Sequence, residues 1–536
     1  MKKPAAVSLY DTTLRDGTQG EGIAFSLVDK IRIAEKLGHF GMDYIEGGWP
    51  GSNPKDLAFF TEAKKHDLGG AKLAAFGSTR RAHIAVDKDP QIAQLLEAET
   101  PVVTIFGKSW KLQVEKVLGV PHAENLAMIG ESVAYLKAQG REVFYDAEHF
   151  FDGYKDDAEF ALATLSAAAN SGADVLVLCD TNGGSMPEEI AAITAVIEAR
   201  FPGRIGIHTH NDCGVGVANA LAAVAAGAIQ IQGTVNGYGE RTGNCNLTSV
   251  IPCLQLKMGL PVVPDLTRLR EISFFVDELA NCQPDPRAPF IGSTAFAHKG
   301  GMHVNAVAKT AAAYEHIEPA SVGNHQNILV SELSGRSNIL MKTQELGLSL
   351  SKDDPAVFRV LEMIKAKEAE GYEFEAADAS LILLMQKALG DYTPLFELIG
   401  YRCSFHRDAE GASTTCQATV IGRVQEKSFE ETAEGDGPVN ALDSALRKAL
   451  IKFYPGIEQV TLSDYKVRIV DGGRGTAART RVHILSNQGS ESWETVGVSD
   501  NIIYASWLAL VDSFEYLKFH NDPAVKQIRS LKSRER

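Results

Sequence analysis

The sequence predicts an α/β protein: a (β/α)8 barrel, then a mostly helical segment, then an α+β domain with an internal repeat. Three observations carry this. Eight short β-like runs alternate with helical stretches over roughly the first 260 residues, the span such a barrel needs. Carboxylates and histidines collect just after those runs, at the end where a barrel presents its chemistry. After about residue 262 the rhythm stops, and Thr/Val-rich runs return only past residue 400.

The eight runs are Val7–Tyr10, Tyr44–Glu46, Lys72–Phe76, Val102–Phe106, Glu142–Tyr145, Val175–Cys179, Arg204–His208 and Ile229–Val235. Between them, Leu27–Leu37, Asn125–Ala138, Ala158–Ala169 and Pro187–Ala199 have helical spacing. Gly38, Gly140, Gly172 and Gly227 stand where C-caps are expected, and Pro187 suits a first helical turn. An open doubly wound sheet is the rival fold; the count of eight and the polar rim favour the barrel. Residues 263–395 read as helices with loops, including a Pro-rich turn at Asn281–Pro289. Beyond them, strand-like Ser413–Arg423, Ser463–Val470 and Ala477–Leu485 alternate with helical Asn440–Tyr454 and Ile503–Tyr516. The stretches opening at Gly437 and Asp500 resemble each other in position and pattern, which predicts two copies of a β-rich unit plus helix. The expected division is 1–262, 263–395 and 396–536.

Length and composition bound the function. A chain of 536 residues with 45% hydrophobic and 23% charged residues is neither disordered nor fibrous. A net charge of −15 argues against nucleic acid or an anionic membrane as partner. No run reaches the ~18 apolar residues of a membrane span, and the N-terminal segment does not read as a secretory signal. Seven scattered cysteines without a CxxC predict a reduced, cytoplasmic protein.

The residues after each run then become candidates. Asp11, Arg15 and Asp16 follow the first, Glu46 and Gly47 the second, Asp146 and Glu148 the fifth. Asp180 and Thr181 follow the sixth; His208, His210, Asn211 and Asp212 the seventh; Asn236, Glu240, Arg241 and Asn244 the eighth. His208 and His210 are i and i+2 on a strand, so both imidazoles face one side. With Asp16 and Asn244 on the same rim they form a candidate site for a divalent ion, Mg²⁺, Mn²⁺ or Zn²⁺. Arg15 beside Asp16 is a candidate oxyanion stabiliser or a structural ion partner. Glu148 is a candidate general base or positioning group. Thr181 either binds a substrate carboxylate or caps a helix. Phe76, Phe106 and Trp49 sit at strand ends, where they either narrow the site or pack the barrel.

Four motifs then carry a resemblance. Asp11-Thr-Thr-Leu-Arg-Asp-Gly-Thr-Gln19, His208-Thr-His-Asn-Asp212, Gly237-Tyr-Gly-Glu-Arg-Thr-Gly-Asn244 and His298-Lys-Gly-Gly-Met-His303 resemble, in this order, signatures of the isopropylmalate/homocitrate/citramalate synthase family. These are metal-dependent barrel acyltransferases, and the resemblance covers nearly the whole chain. It implies metal binding by Asp16, His208, His210 and Asn244, and binding of a 2-oxo acid by Arg15 and Thr181. It implies catalytic roles for Arg15, Glu148, His303 and Tyr314, acetyl-CoA as co-substrate, a homodimer, and an effector-binding C-terminal domain. Ile45–Asp56 and Tyr145–Tyr154 are most similar to the citramalate-forming branch, which condenses acetyl-CoA with pyruvate on a route to isoleucine. That branch implies control by a branched-chain amino acid such as isoleucine; the effector-binding residues are unknown. Thr18, the Gly48-Trp49 pair and Asn305 depart from the commoner family residues. The rivals are isopropylmalate synthase, homocitrate synthase, a metal-dependent acyl-CoA lyase and a non-catalytic amino-acid sensor. The loop after the eighth run lacks the cysteine expected of the lyase.

Overall fold

A computed structural model describes residues 4–52, 54–330, 336–345, 351, 354–390, 392–407, 414–489 and 491–520. Eight parallel strands close into a barrel: β1 (Ser8–Asp11), β2 (Tyr44–Gly48), β3 (Lys72–Ser78), β4 (Val102–Lys108), β5 (Glu142–Glu148), β6 (Val175–Asp180), β7 (Ile205–Thr209) and β8 (Gln230–Gly233). β1 closes the ring on β8, with Asp11 beside Gly233. Every expected run is a strand, and the open-sheet alternative is excluded.

Strand periodicity sorts the barrel's residues into two layers. Outward residues such as Leu9, Ile45, Val103, Leu178 and Ile207 pack under the helices in one large core. Inward residues form a separate apolar plug of Tyr10, Ala74, Val102, Phe144, Val175, Val177 and Cys179. Further along the same inward positions the residues turn polar: Glu46, Thr104, Asp146, His208 and Gln232 are all buried. The plug thus supports a buried polar layer at the C-terminal end of the strands.

The helices begin and end for local reasons. Ser26 and Asp29 make a capping box at the start of Leu27–Phe40. That helix runs past Gly38 and stops at Gly41, whose φ is 113°. Gly38 is therefore not the cap. It is a close approach: a Cβ there would lie 2.0 Å from the Leu68 carbonyl oxygen. Gly140, Gly172 and Gly227 do adopt positive φ just past their helices, and Pro187 opens Pro187–Arg200.

The chain divides into two compact units, Met1–Phe296 with His316–His325, and Ala297–Glu315 with Gln326–Arg536. The first unit runs beyond residue 262 because helix Leu269–Leu279 buries Leu269, Ile272 and Val276 in the barrel's outer core. The second unit contains a short parallel pair, β9 (Ala297–His298) and β10 (Asn327–Ile328), and helices Gly301–Val307, Arg336–Glu345, Pro355–Ala369 and Asp378–Leu389. Two three-stranded antiparallel sheets follow, β11 (Glu397–Arg407), β12 (Thr414–Val424), β13 (Lys427–Gly435) and β14 (Thr461–Ile469), β15 (Thr480–Gln488), β16 (Glu491–Ser499). Helix Pro438–Leu450 follows the first sheet and Ile502–His520 the second, so the repeat is βββα. The sequence pattern showed only three of these six strands. The expected run from Ser413 begins outside the described residues, and its remainder is β12.

Candidate active site

The polar layer opens into a cavity of about 260 Å³ at the strands' C-terminal end, lined by Arg15, Asp16, Trp49, Phe76, Phe106, Asp146, Glu148, Thr181, His208, His210 and Arg241 among others. Asp16, His208 and His210 are buried, and one ligand atom from each lies within 4.8 Å of the others. His208 Nε2 is 3.3 Å from Asp16 Oδ2 and 3.2 Å from His210 Nε2. Two buried imidazole nitrogens and a carboxylate oxygen close to one another are a donor set that could hold a divalent metal. Asn244 belongs to the same rim. Its backbone bridges His210, its Nδ2 donates to the Tyr238 carbonyl at 3.0 Å, and its buried Oδ1 has no partner among the described residues. A buried amide oxygen without a donor fits a cation there.

Glycine geometry brings Asn244 to this place. Gly237, Gly239 and Gly243 all have positive φ. A Cβ on Gly239 would stand 2.1 Å from Asn244 Nδ2, and one on Gly243 2.0 Å from the Gly237 carbonyl oxygen. The glycines fold the loop onto itself around Asn244.

Electrostatics prepare the donors. Burial alone would raise the Asp16 carboxyl; the Arg15 guanidinium, with His208, overrides this and holds it well below the usual carboxylate range. Burial, then the neighbouring His208, push the His210 imidazole down to about 3, so the ring is neutral at neutral pH, and Arg241 Nη2 donates to its Nδ1 at 3.0 Å. Burial also opposes protonation of His208, but the Asp16 hydrogen bond and charge raise it overall. His208 Nδ1 is 2.9 Å from Gln232 Oε1, and Gln232 Nε2 donates to Asp146 Oδ1 at 3.0 Å. The amide thereby fixes His208 with Nδ1–H toward Gln232 and Nε2 toward the cavity. Burial, with the Glu46 charge adding, raises the Asp146 carboxyl to about 7 against the pull of His208.

Arg15 is braced on three sides. Its Nε donates to Glu46 Oε1 at 2.5 Å, its Nη1 lies 3.2 Å from Asp16 Oδ1, and its guanidinium carbon sits 3.7 Å from the Phe76 ring centroid. Arg15 is thus a structural ion partner of Glu46 and Asp16, and it also lines the cavity. Thr181 caps no helix, since the next begins at Pro187. Its Oγ1 instead accepts the His149 N–H at 2.8 Å, which leaves the hydroxyl proton to donate into the cavity. His149 makes that bond from a left-handed backbone, φ 57°. Glu148 is ion-paired with Lys108 at the rim.

An HMGL-like family model matches residues 6–276, a homocitrate synthase post-HMGL domain-like model residues 290–371, and a LeuA allosteric (dimerisation) domain model residues 375–518. The chain is 52% identical over 522 residues to an (R)-citramalate synthase of Geobacter sulfurreducens, covering 97% of this chain and 99% of that one. It is also 52% identical over 513 residues to the (R)-citramalate synthase of Aquifex aeolicus, covering 95% and 97%. The chain belongs to the (R)-citramalate synthase family. A 2-isopropylmalate synthase of Heliobacterium modesticaldum is 29% identical over 538 residues, covering 98% and 99%.

Of the site residues expected for a citramalate synthase, the first unit gathers Arg15, Asp16, Glu148, Thr181, His208 and His210 around one cavity, with Asn244 on its rim. His303 and Tyr314 belong to the second unit. There they stack on each other, ring centroids 4.3 Å apart at 28°, on its exposed surface. Sequence reasoning missed Gln232, Lys108 and the pairing of Arg15 with Glu46. Gln232 was within reach: Gln230 and Gln232 flank Ile231 in the same i, i+2 pattern that marks the two histidines.

Proposed function

We propose that this chain condenses acetyl-CoA with pyruvate and hydrolyses the resulting thioester, releasing (R)-citramalate and CoA. Its 52% identity to (R)-citramalate synthases over nearly the full chain carries this reading. Five relatives at 44–52% identity share that name, against 29–30% for two isopropylmalate synthases. Asp16, His208, His210 and Asn244 hold a divalent ion. When bound, it supplies Lewis-acid polarisation of the 2-oxo acid's carbonyl.

The chain's own groups do the rest. Thr181 donates its hydroxyl to the pyruvate carboxylate. Arg15, immobilised by Glu46 and Asp16, stabilises oxygen that gains negative charge during attack. The acetyl methyl must lose a proton to a base, which we assign to His303 or Glu148, with Tyr314 assisting. Trp49, Phe76 and Phe106 form an aromatic wall: the two phenyl rings stack at 5.6 Å, and the indole meets both edge-on. A wall of rings on one side of the cavity suits an acceptor with only a methyl group beyond its carbonyl.

The LeuA-type domain supports a homodimer and an amino-acid effector, which we take to be isoleucine. All seven cysteines are free, and no described helix is long and apolar enough to cross a membrane; both support a cytoplasmic enzyme. A thiol-release assay with acetyl-CoA and pyruvate, 2-oxoisovalerate or 2-oxoglutarate tests the reading. Pyruvate is expected to give the highest kcat/KM, with chiral analysis returning the R product. Preference for either larger acid overturns the acceptor assignment.

A further inference from the structure

Lys30 lies in helix Leu27–Phe40 and is 2% exposed. Its ammonium donates to the Gly47 carbonyl at 3.1 Å and to Asp56 Oδ1 at 2.6 Å. Asp56 stands in the following helix, Pro54–Ala63, and its other oxygen, Oδ2, accepts the backbone N–H of Trp49 at 3.0 Å. One buried ion pair thus holds the last residues of β2 and the first residue beyond it. The intervening glycines make room. Gly48 has φ 148°, and a Cβ there would stand 2.4 Å from Asp56 Cγ; one on Gly47 would stand 2.3 Å from Phe59 Cε1. Only a side-chain-free backbone lets the carboxylate and the ring close on the strand end from both sides.

The residue so held faces the reaction space. The Trp49 indole meets Phe76 at 5.9 Å and Phe106 at 5.8 Å, both near perpendicular, and all three rings line the cavity. Phe76 in turn lies under Arg15. A buried ion pair is a poor source of stability, because dehydrating both charges offsets most of their attraction. A hydrocarbon pair would fill the same space. It would supply neither an acceptor for the Trp49 N–H nor a donor for the Gly47 carbonyl.

We propose that Asp56, with Lys30 as the counter-charge that lets its carboxylate stay buried, is a positioning residue for acceptor specificity: its carboxylate fixes the backbone just beyond β2 so that Trp49 closes the aromatic wall against 2-oxo acids bulkier than pyruvate. This rests on the acceptor reading above. The test uses the full-length, metal-loaded enzyme and compares kcat/KM for pyruvate with that for 2-oxoisovalerate. Wild type, Trp49→Ala, Lys30→Met/Asp56→Leu and Lys30→Met/Asp56→Asn are measured side by side. Trp49→Ala and the Met/Leu variant are expected to lower the ratio by about tenfold or more. The Met/Asn variant keeps a carbonyl to accept the Trp49 N–H, and its ratio is expected within about threefold of wild type.

If Trp49→Ala relaxes the ratio and Met/Leu leaves it unchanged, the positioning role is overturned. The same holds if Met/Asn relaxes it as far as Met/Leu, since a general loss of packing then accounts for both. Should Met/Leu fail to fold, Gly48→Ala displaces the same carboxylate, and an unchanged ratio in it overturns the proposal. A wild-type enzyme that does not prefer pyruvate defeats the acceptor reading and this inference with it. That failure is distinguishable because it shows before any residue is changed.

Discussion

Asp16 sits where burial should neutralise a carboxylate, and Arg15 keeps it charged. Removing either therefore disturbs both. Asp16→Asn and His210→Ala are each expected to cut metal retention and condensation by more than about 100-fold, read by metal analysis after dialysis beside the thiol assay. Near wild-type turnover in a chelator-treated, metal-reconstituted series would sink the donor set. Arg15→Lys keeps a charge but loses the planar fork that spans Glu46 and Asp16. A fall in kcat of roughly two orders of magnitude is expected, and an unchanged kcat removes Arg15 from the chemistry. Asp11 gives a stability prediction. Burial raises its carboxyl to about 7, although Thr13 donates two hydrogen bonds to it. The folded state then binds a proton more tightly than the unfolded chain, so stability is present at low pH and lost as pH rises from about 4 to 7. Asp11→Asn should flatten that loss, by an amount on the order of a few kcal/mol, in melting curves taken between about pH 4 and 7. A variant whose pH slope equals that of wild type would show that Asp11 titrates normally. At this scale the sequence was most readable where periodicity applies. Asp16, His208 and His210 declare themselves because strand order and the i, i+2 rule place them on one rim. Lys30 and Asp56 do not, because each reads alone as a solvated helix residue and only packing joins them.

Strands and helices show the same contrast. The barrel strands are legible because both faces of each are buried, which leaves continuous apolar runs. β13 was missed for the opposite reason: along Lys427–Gly435 only Phe429 is buried, so no alternation survives in the sequence. Gly38 misled because helix ends and close approaches both call for glycine, and only the Leu68 carbonyl tells them apart. The ends of β3 and β4 carry the element-scale prediction. Phe76 and Phe106 stack at 5.6 Å and line the cavity. Truncating either to alanine opens space that packing had denied. Phe76→Ala and Phe106→Ala should each narrow the preference for pyruvate over 2-oxobutanoate and 2-oxoisovalerate by about 1–3 kcal/mol, or roughly 10–200-fold. Phe76→Ala also withdraws the ring beneath Arg15, so its kcat with pyruvate should fall further than that of Phe106→Ala. Equal acceptor profiles in wild type and both variants would mean that the wall is only barrel packing.

For the whole molecule, the second unit needs an explanation that barrel chemistry does not provide. Its two βββα copies each lay one helix on one sheet, and both helices bury side chains in a shared core with Ala445, Leu446, Trp507 and Phe514. This packed repeat matches the LeuA allosteric (dimerisation) model over residues 375–518, and it is where we propose that the amino-acid effector binds. If isoleucine binds the native state there, linkage requires it to raise stability by RT ln(1 + [L]/Kd), about 2.7 kcal/mol at a hundredfold excess over Kd. The gain should appear as a concentration-dependent rise in the melting temperature of the full-length enzyme, with leucine and valine as comparators. The same titration should lower condensation of acetyl-CoA with pyruvate over the same concentration range, because one binding event is being read twice. Light scattering across the titration reports whether the oligomer changes with it. Inhibition without a thermal shift would place the amino acid at the cavity rather than in the repeat, and competition with pyruvate would then show it. A thermal shift without any change in turnover would leave the repeat as a binding and assembly domain uncoupled from the barrel.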